Sequence, residues 1–313
     1  MIMWKKKGLL LDVNAFLSAG LTSHASIPYA FHLEGNQYRI FFSSRDAQGR
    51  SQPYAIDAEI IGEEIKLTGE LVGPLFEMGP LGSFDDNGIM PSSVVRNGNE
   101  VWMYYIGWNP QVTVSYRLSI GLAISVDGGM TFKRASDGPL LDRSFLEPYF
   151  NTAPFVFKDN EIWRMFYVSC TGWIDHMGRK EPLYLVRQST SVDGIVWSKP
   201  GSIVVDYSDE VESIGRPCVV KHNGVYEIYF SHRMARDYRE EQRMSYKIGS
   251  ALSADAAHWT DFKLDIFKSV PQDWDNHMYE YCHVWIHDNK KFMLYNGNGF
   301  GQQGFGYAVM DAL

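Results

Sequence analysis

Four stretches decide the fold: Pro28–Phe42 (PYAFHLEGNQYRIFF), Pro91–Tyr105 (PSSVVRNGNEVWMYY), Pro154–Tyr167 (PFVFKDNEIWRMFY) and Pro217–Phe230 (PCVVKHNGVYEIYF). Each starts on proline, runs through apolar residues to a polar turn, and climbs into an aromatic-rich segment. Their prolines are 63 residues apart at every step. A fifth copy, Cys282–Tyr295 (CHVWIHDNKKFMLY), replaces the proline with cysteine. Each copy reads as a β-hairpin. The turns fall on Gly35-Asn36, Asn97-Gly98, Asp159-Asn160, Asn223-Gly224 and Asp288-Asn289, residue types that tolerate positive φ. The flanks carry the β-branched and aromatic residues that half-buried strands favour.

A second pattern follows three of the hairpins: Ile120–Phe132 (IGLAISVDGGMTF), Leu185–Trp197 (LVRQSTSVDGIVW) and Ile248–Trp259 (IGSALSADAAHW). It supplies a third strand, an Asp-Gly-type turn and the aromatic start of a fourth. Tyr54–Ile60 takes the third-strand place in the first repeat, and Phe305–Met310 closes the last weakly. Strand-only repeats of this length indicate an all-β five-bladed propeller with four-stranded blades, in which radial packing protects the sheet edges. No apolar stretch keeps a 3.6-residue period over three turns, which excludes a helical solenoid. The expectation is one domain spanning residues 1–313.

The chain has 313 residues, 45% hydrophobic content and a net charge of −8. That length allows a large core, and the acidic balance argues against a nucleic-acid partner. No apolar run approaches the length of a membrane span and no signal peptide is evident at the start, so a cytoplasmic protein without a membrane partner is expected. Oligomeric state stays open. Cys170, Cys218 and Cys282 show neither disulfide nor metal spacing and read as inert buried thiols.

The repeat pattern resembles the five-bladed superfamily of arabinanases, levansucrases and invertases, which includes the family 43, 32 and 68 glycosidases and the family 130 mannoside phosphorylases. Phe84–Val95 (FDDNGIMPSSVV), Met103–Asn109 (MYYIGWN) and Tyr295–Gly301 (YNGNGFG) are most similar to uncharacterised bacterial members found with polysaccharide biosynthesis genes. The resemblance implies carbohydrate chemistry. Ser125–Phe132 (SVDGGMTF) also fits the Asp-box of sialidases, and Ser191–Trp197 fits it partly; that box is a turn-stabilising device, and the sialidase Phe-Arg-Ile-Pro signature is missing.

In this superfamily the functional residues lie where the chain enters each innermost strand, at the mouth of a central funnel. The resemblance therefore marks Asp86, Glu212, Asp46, Glu147 and Glu280 as catalytic candidates. His24, Arg45, Asp85, Trp108, Tyr149, Trp173, Arg216 and Tyr281 are candidates for binding substrate. Glycoside hydrolysis needs one carboxylic acid and one carboxylate, and sugar faces stack on aromatic rings. Asp86 would take the family 43 modulator role and Glu212 the acid role. Ile27 stands where that family has its base, leaving His24 or Asp46 as substitutes. His283 falls where those enzymes place a histidine beside a central ion, which makes it the candidate ligand of a single metal; no other cofactor is indicated.

Arg233–Arg243 (RMARDYREEQR) reads as an insertion in the fourth repeat. Arg233, Arg236, Arg239 and Arg243 recur at helical spacing, predicting either a solvated helix or an anion clamp for phosphate or an acidic sugar. Three functions stay open: an enzyme that cleaves or transfers a glycosyl unit, a non-catalytic glycan binder, and a phosphorylase or transferase using phosphate or a nucleotide sugar.

Overall fold

The computed structural model describes residues 3–208, 212–267 and 272–312, and strands dominate them. After β1 (Lys5–Asp12), the first sheet is β2 (Ser23–Glu34), β3 (Gln37–Arg45), β4 (Ser51–Ile61) and β5 (Glu64–Leu67). The second is β6 (Ile89–Asn97), β7 (Glu100–Pro110), β8 (Tyr116–Ser125) and β9 (Lys133–Arg134). Next come β10 (Asn151–Asp159), β11 (Ile162–His176), β12 (Arg179–Ser191) and β13 (Ser202–Val205), then β14 (Ser213–His222), β15 (Val225–Arg233), β16 (Lys247–Ser253) and β17 (Thr260–Lys263). These two groups form one eight-stranded sheet, joined by a single parallel pair between Tyr184 and Ser213. The last sheet holds β18 (Glu280–His287), β19 (Lys290–Asn296) and β20 (Gly304–Asp311), with β1 as its outer strand. The first strand of each group packs on the next, β2 on β6, β6 on β10, β10 on β14, β14 on β18 and β18 on β2, so the ring closes.

Every predicted hairpin forms. Three turns fall as read, and two fall one residue later, on Gly98-Asn99 and Asn160-Glu161. The reason is local: Gly98 and Asn160 adopt positive φ, while the Asp159 carboxylate is engaged by Arg164, Lys221 and Tyr226. The Asp-box reading also holds. Asp127 accepts hydrogen bonds from the Met130 and Thr131 N–H groups and from the Thr131 hydroxyl, and Asp193 and Asp255 cap equivalent turns. All three cysteines are free and buried. No helix among the described residues is long and apolar enough to cross a membrane.

One expectation fails. The segment from Arg233 to Arg243 is a run of turns with a short 3-10 element at Gln242–Met244, so its four arginines share no helical face. Arg233 ends β15 and is fully buried; Tyr238, also buried, anchors the segment against its guanidinium at 3.8 Å. That inward anchor replaces the solvated face that arginine spacing alone suggested.

Candidate functional site

All five hairpins are interrupted at the same level. Register shifts lie between Ser26 and Tyr29, Pro91 and Ser93, Thr152 and Phe155, Gly215 and Cys218, and Glu280 and His283. Such bulges re-aim side chains. At four of them a non-glycine residue takes the left-handed region: Ile27 (φ 56°), Ala153 (φ 46°), Arg216 (φ 47°) and Tyr281 (φ 56°). That conformation costs about 1–3 kcal/mol per residue and persists where its surroundings enforce it. Asn296 Oδ1 accepts the Ile27 N–H at 2.8 Å, and Ser231 Oγ accepts the Tyr281 N–H at 2.8 Å.

These four residues and Met90 line one cavity of about 430 Å³. Its wall is aromatic. Trp108 and Tyr116 meet with ring centres 4.4 Å apart, Tyr246 packs on Tyr281 at 5.7 Å, and the Tyr184 and Tyr246 hydroxyls share a hydrogen bond of 2.7 Å. Four guanidinium-bearing residues also line it: Arg45, Arg216, Arg233 and Arg239. Among the described residues lining this cavity, none is an aspartate or glutamate.

The carboxylates marked from the sequence are held elsewhere. Asp46 caps its own turn, accepting the Gln48 and Arg50 N–H groups and pairing with the Arg50 side chain at 2.8 Å. Asp85 is fully buried, bound by Arg134 at 2.7 Å and the Tyr105 hydroxyl at 2.9 Å. Asp86 accepts from Asn109 Nδ2 at 2.7 Å and the Gly82 N–H at 2.8 Å. Glu147 takes the Ser169 hydroxyl at 2.7 Å, Asn151 Nδ2 at 3.0 Å and the Tyr167 hydroxyl at 3.1 Å. Glu212 accepts the Ala235 N–H at 2.8 Å and meets Arg236 at 3.3 Å. Each sits ahead of its bulge or beside it, where turn and loop groups satisfy it. The expectation of an acidic funnel is thus not what lines this cavity.

Glu280 differs. It is fully buried, and neither carboxyl oxygen makes a hydrogen bond among the described residues. Burial holds its acid well above the ordinary carboxylate range, against the weaker opposing pull of Arg233.

Of the other candidates, Arg45, Trp108, Arg216 and Tyr281 line the cavity, whereas Trp173 stands behind it, packing on Tyr116 at 5.4 Å and Phe150 at 5.8 Å. Tyr149 is exposed at the surface and is not among the lining residues. His24 bonds the Ser23 hydroxyl at 3.0 Å, and burial, helped by the Arg45 charge, lowers its pKa to about 4. The sequence did not mark Tyr116, Tyr184, Tyr238 or Tyr246; the first two come from third strands, Tyr238 from the Arg233–Arg243 turns and Tyr246 from just before β16.

The metal expected at His283 does not fit its surroundings. His283 Nδ1 accepts the Ala30 N–H at 3.1 Å, its ring stacks on Tyr29 at 3.8 Å, and burial together with the nearby Arg216 charge keeps it neutral. A cation there would face that guanidinium, and no group of three or more His, Cys, Asp or Glu side chains converges among the described residues.

The strand groups and the cavity at their inner bulges define a propeller-like architecture. Solved structures share it: a BT0996 complex with RGII (TM-score 0.71, 19% identity, 97% of this chain and 90% of that one) and a thermostable family-43 glycoside hydrolase (TM-score 0.63, 16% identity, 93% and 89%). A third is the Bombyx mori GH32 β-fructofuranosidase BmSUC1 (TM-score 0.64, 14% identity, 96% and 68%). At these identities the likeness is one of fold. In sequence, the chain is 36% identical to protein MT1551 and 35% identical to protein Rv1502, both uncharacterised proteins of Mycobacterium tuberculosis, over 98% of this chain and 99% of each relative. The chain belongs to the family of these two proteins. No family model matches it.

Proposed function

We propose that the chain is a single five-bladed propeller that binds a carbohydrate in the funnel at its five bulges. Five blades follow if the eight-stranded sheet is counted as two, since its halves share one parallel pair while the first strands close a ring. The observation that carries the reading is the aromatic cavity at the bulges, with Trp108, Tyr116 and Tyr281 offering ring faces to apolar sugar surfaces. The fold's relatives supply the class of ligand: one solved neighbour is a complex with RGII, and others are glycoside hydrolases.

Hydrolysis by two carboxylates flanking the scissile bond, about 5–9.5 Å apart, finds no such pair on the described lining. Binding is therefore the primary function proposed. Glu280 favours a second reading, cleavage or transfer of a glycosyl unit. A buried carboxylic acid kept neutral can donate a proton, and its chain neighbour Tyr281 lines the cavity.

Calorimetric titration of a glycan panel tests the binding function. Trp108→Ala should weaken the tightest ligand about tenfold to a hundredfold, as loss of a buried aromatic implies. An unchanged affinity would remove the funnel from recognition. Incubation with aryl glycosides and nucleotide sugars, with and without phosphate, tests the second reading; turnover that Glu280→Gln abolishes would establish it.

A further inference from the structure

The four arginines of the cavity are not equivalent. Arg233 and Arg239 share the buried carboxylate of Glu181, at 3.9 Å and 3.2 Å, and lie over the Tyr238 ring. Arg45 and Arg216 have no such match among the described residues. Arg216 is 2% exposed; its Nη1 donates to Ser92 O at 2.5 Å and Ser92 Oγ at 2.7 Å, while Nε and Nη2 find no acceptor there. Its electrostatic neighbours are Cys218, Cys282, Tyr29 and Tyr281, and burial pushes all four acids up, so all are neutral at pH 7. Arg45 lines the same cavity half-buried, and no described carboxylate pairs with it, because Asp46 beside it turns to Arg50.

An unpaired guanidinium inside a protein carries an uncompensated desolvation cost. Here two stand against one cavity, with no acid on its described lining, in a chain of net charge −8. Water alone does not explain the arrangement, since a neutral side chain at either position would bind a neutral sugar without that cost. We infer that the ligand of this funnel carries an oxyanion (carboxylate, sulfate or phosphate) received by Arg45 and Arg216. Guanidinium forks match all three groups. This rests on the reading of the cavity as a glycan site and narrows it to acidic glycans or to a sugar bound together with a free anion.

Calorimetry at low salt on the full chain decides the matter. The probes are a uronic-acid trisaccharide, its carboxyl-reduced neutral counterpart, a hexose phosphate, and inorganic phosphate alone or added to the neutral trisaccharide. The expected result is that an acidic probe binds about tenfold to a hundredfold tighter than its neutral counterpart, the range for hydrogen bonds to charged groups. Arg45→Met and Arg216→Met should each shrink that ratio, and Arg45→Lys should keep part of it. Phosphate that binds alone and tightens the neutral sugar would support the same site with a free anion as its source. Should Arg216→Met fail to fold, Arg45→Met suffices. Acidic and neutral probes binding alike, with no response to Arg45→Met, would overturn the oxyanion and leave the glycan funnel standing. Failure of every probe to bind would overturn both.

Discussion

At the level of single residues, the site follows from which side chains a bulge aims inward. Arg216 and Tyr281 were legible because they directly precede the first residue of a repeat. Apart from Glu280, the carboxylates marked with them stand several residues from the bulge, and a few residues along an extended chain is enough to leave the cavity. Asp85 ends on Arg134 and Tyr105, and Glu147 on Ser169, Asn151 and Tyr167. The rings of Tyr116, Tyr184 and Tyr246 stayed hidden because nothing local distinguishes them from core tyrosines; only the closed ring brings them to one wall. His24 yields a prediction at this scale. Its pKa is about 4 when folded and near 6.5 when unfolded, so the unfolded chain binds the proton first. Stability contributed by its neutral form is complete above pH 6.5 and is lost as the pH falls towards 4. Urea denaturation across that window should show stability declining with acid, and His24→Gln should flatten part of the slope. Arg45→Met should raise the His24 pKa in an NMR titration by removing a like charge.

Individual elements were the most legible level. Alternating apolar residues around Gly, Asn and Asp turns specify hairpins, and all five formed. The Asp-box turns were read as structural, and their bonding is self-contained. Asp127→Ala removes the acceptor for two backbone N–H groups and the Ser125 and Thr131 hydroxyls. It should cost about 0.5–2 kcal/mol, as loss of a comparable capping side chain does. Chemical denaturation would measure that loss, and glycan affinity should not change, because Asp127 lies outside the cavity lining. A large change in affinity would mean that the turn reaches the site. The Arg233–Arg243 segment was misread because arginine spacing carries no information about burial. Tyr238, buried between Arg233 and Arg239, sets its course.

Across the whole molecule, the feature the repeats concealed is closure. The fifth hairpin lacks a fourth strand of its own, and β1 from the other end of the chain supplies it, pairing antiparallel with β20 from Lys5–Val309 to Asp12–Gly304. The run of lysines and leucines in β1 matches none of the repeats, so its role emerges only in the sheet. Lys6 fixes it: the ammonium is 2.8 Å from Asp275, with both side chains buried. Lys6→Met would leave that buried carboxylate with the Gln272 N–H and the Tyr295 hydroxyl but no counter-ion, and should cost about 3–5 kcal/mol in urea denaturation. A loss within experimental error would show that closure does not depend on the pair. The central claim, that ligand sits at the bulges on aromatic rings and unpaired guanidiniums, is tested most directly by a crystal structure with the tightest glycan from the panel. The account predicts sugar rings against Trp108 and Tyr281, an oxyanion within hydrogen-bond distance of Arg45 or Arg216, and no carboxylate flanking the glycosidic bond. A glycan bound on the outer surface, or held between two carboxylates, would contradict it.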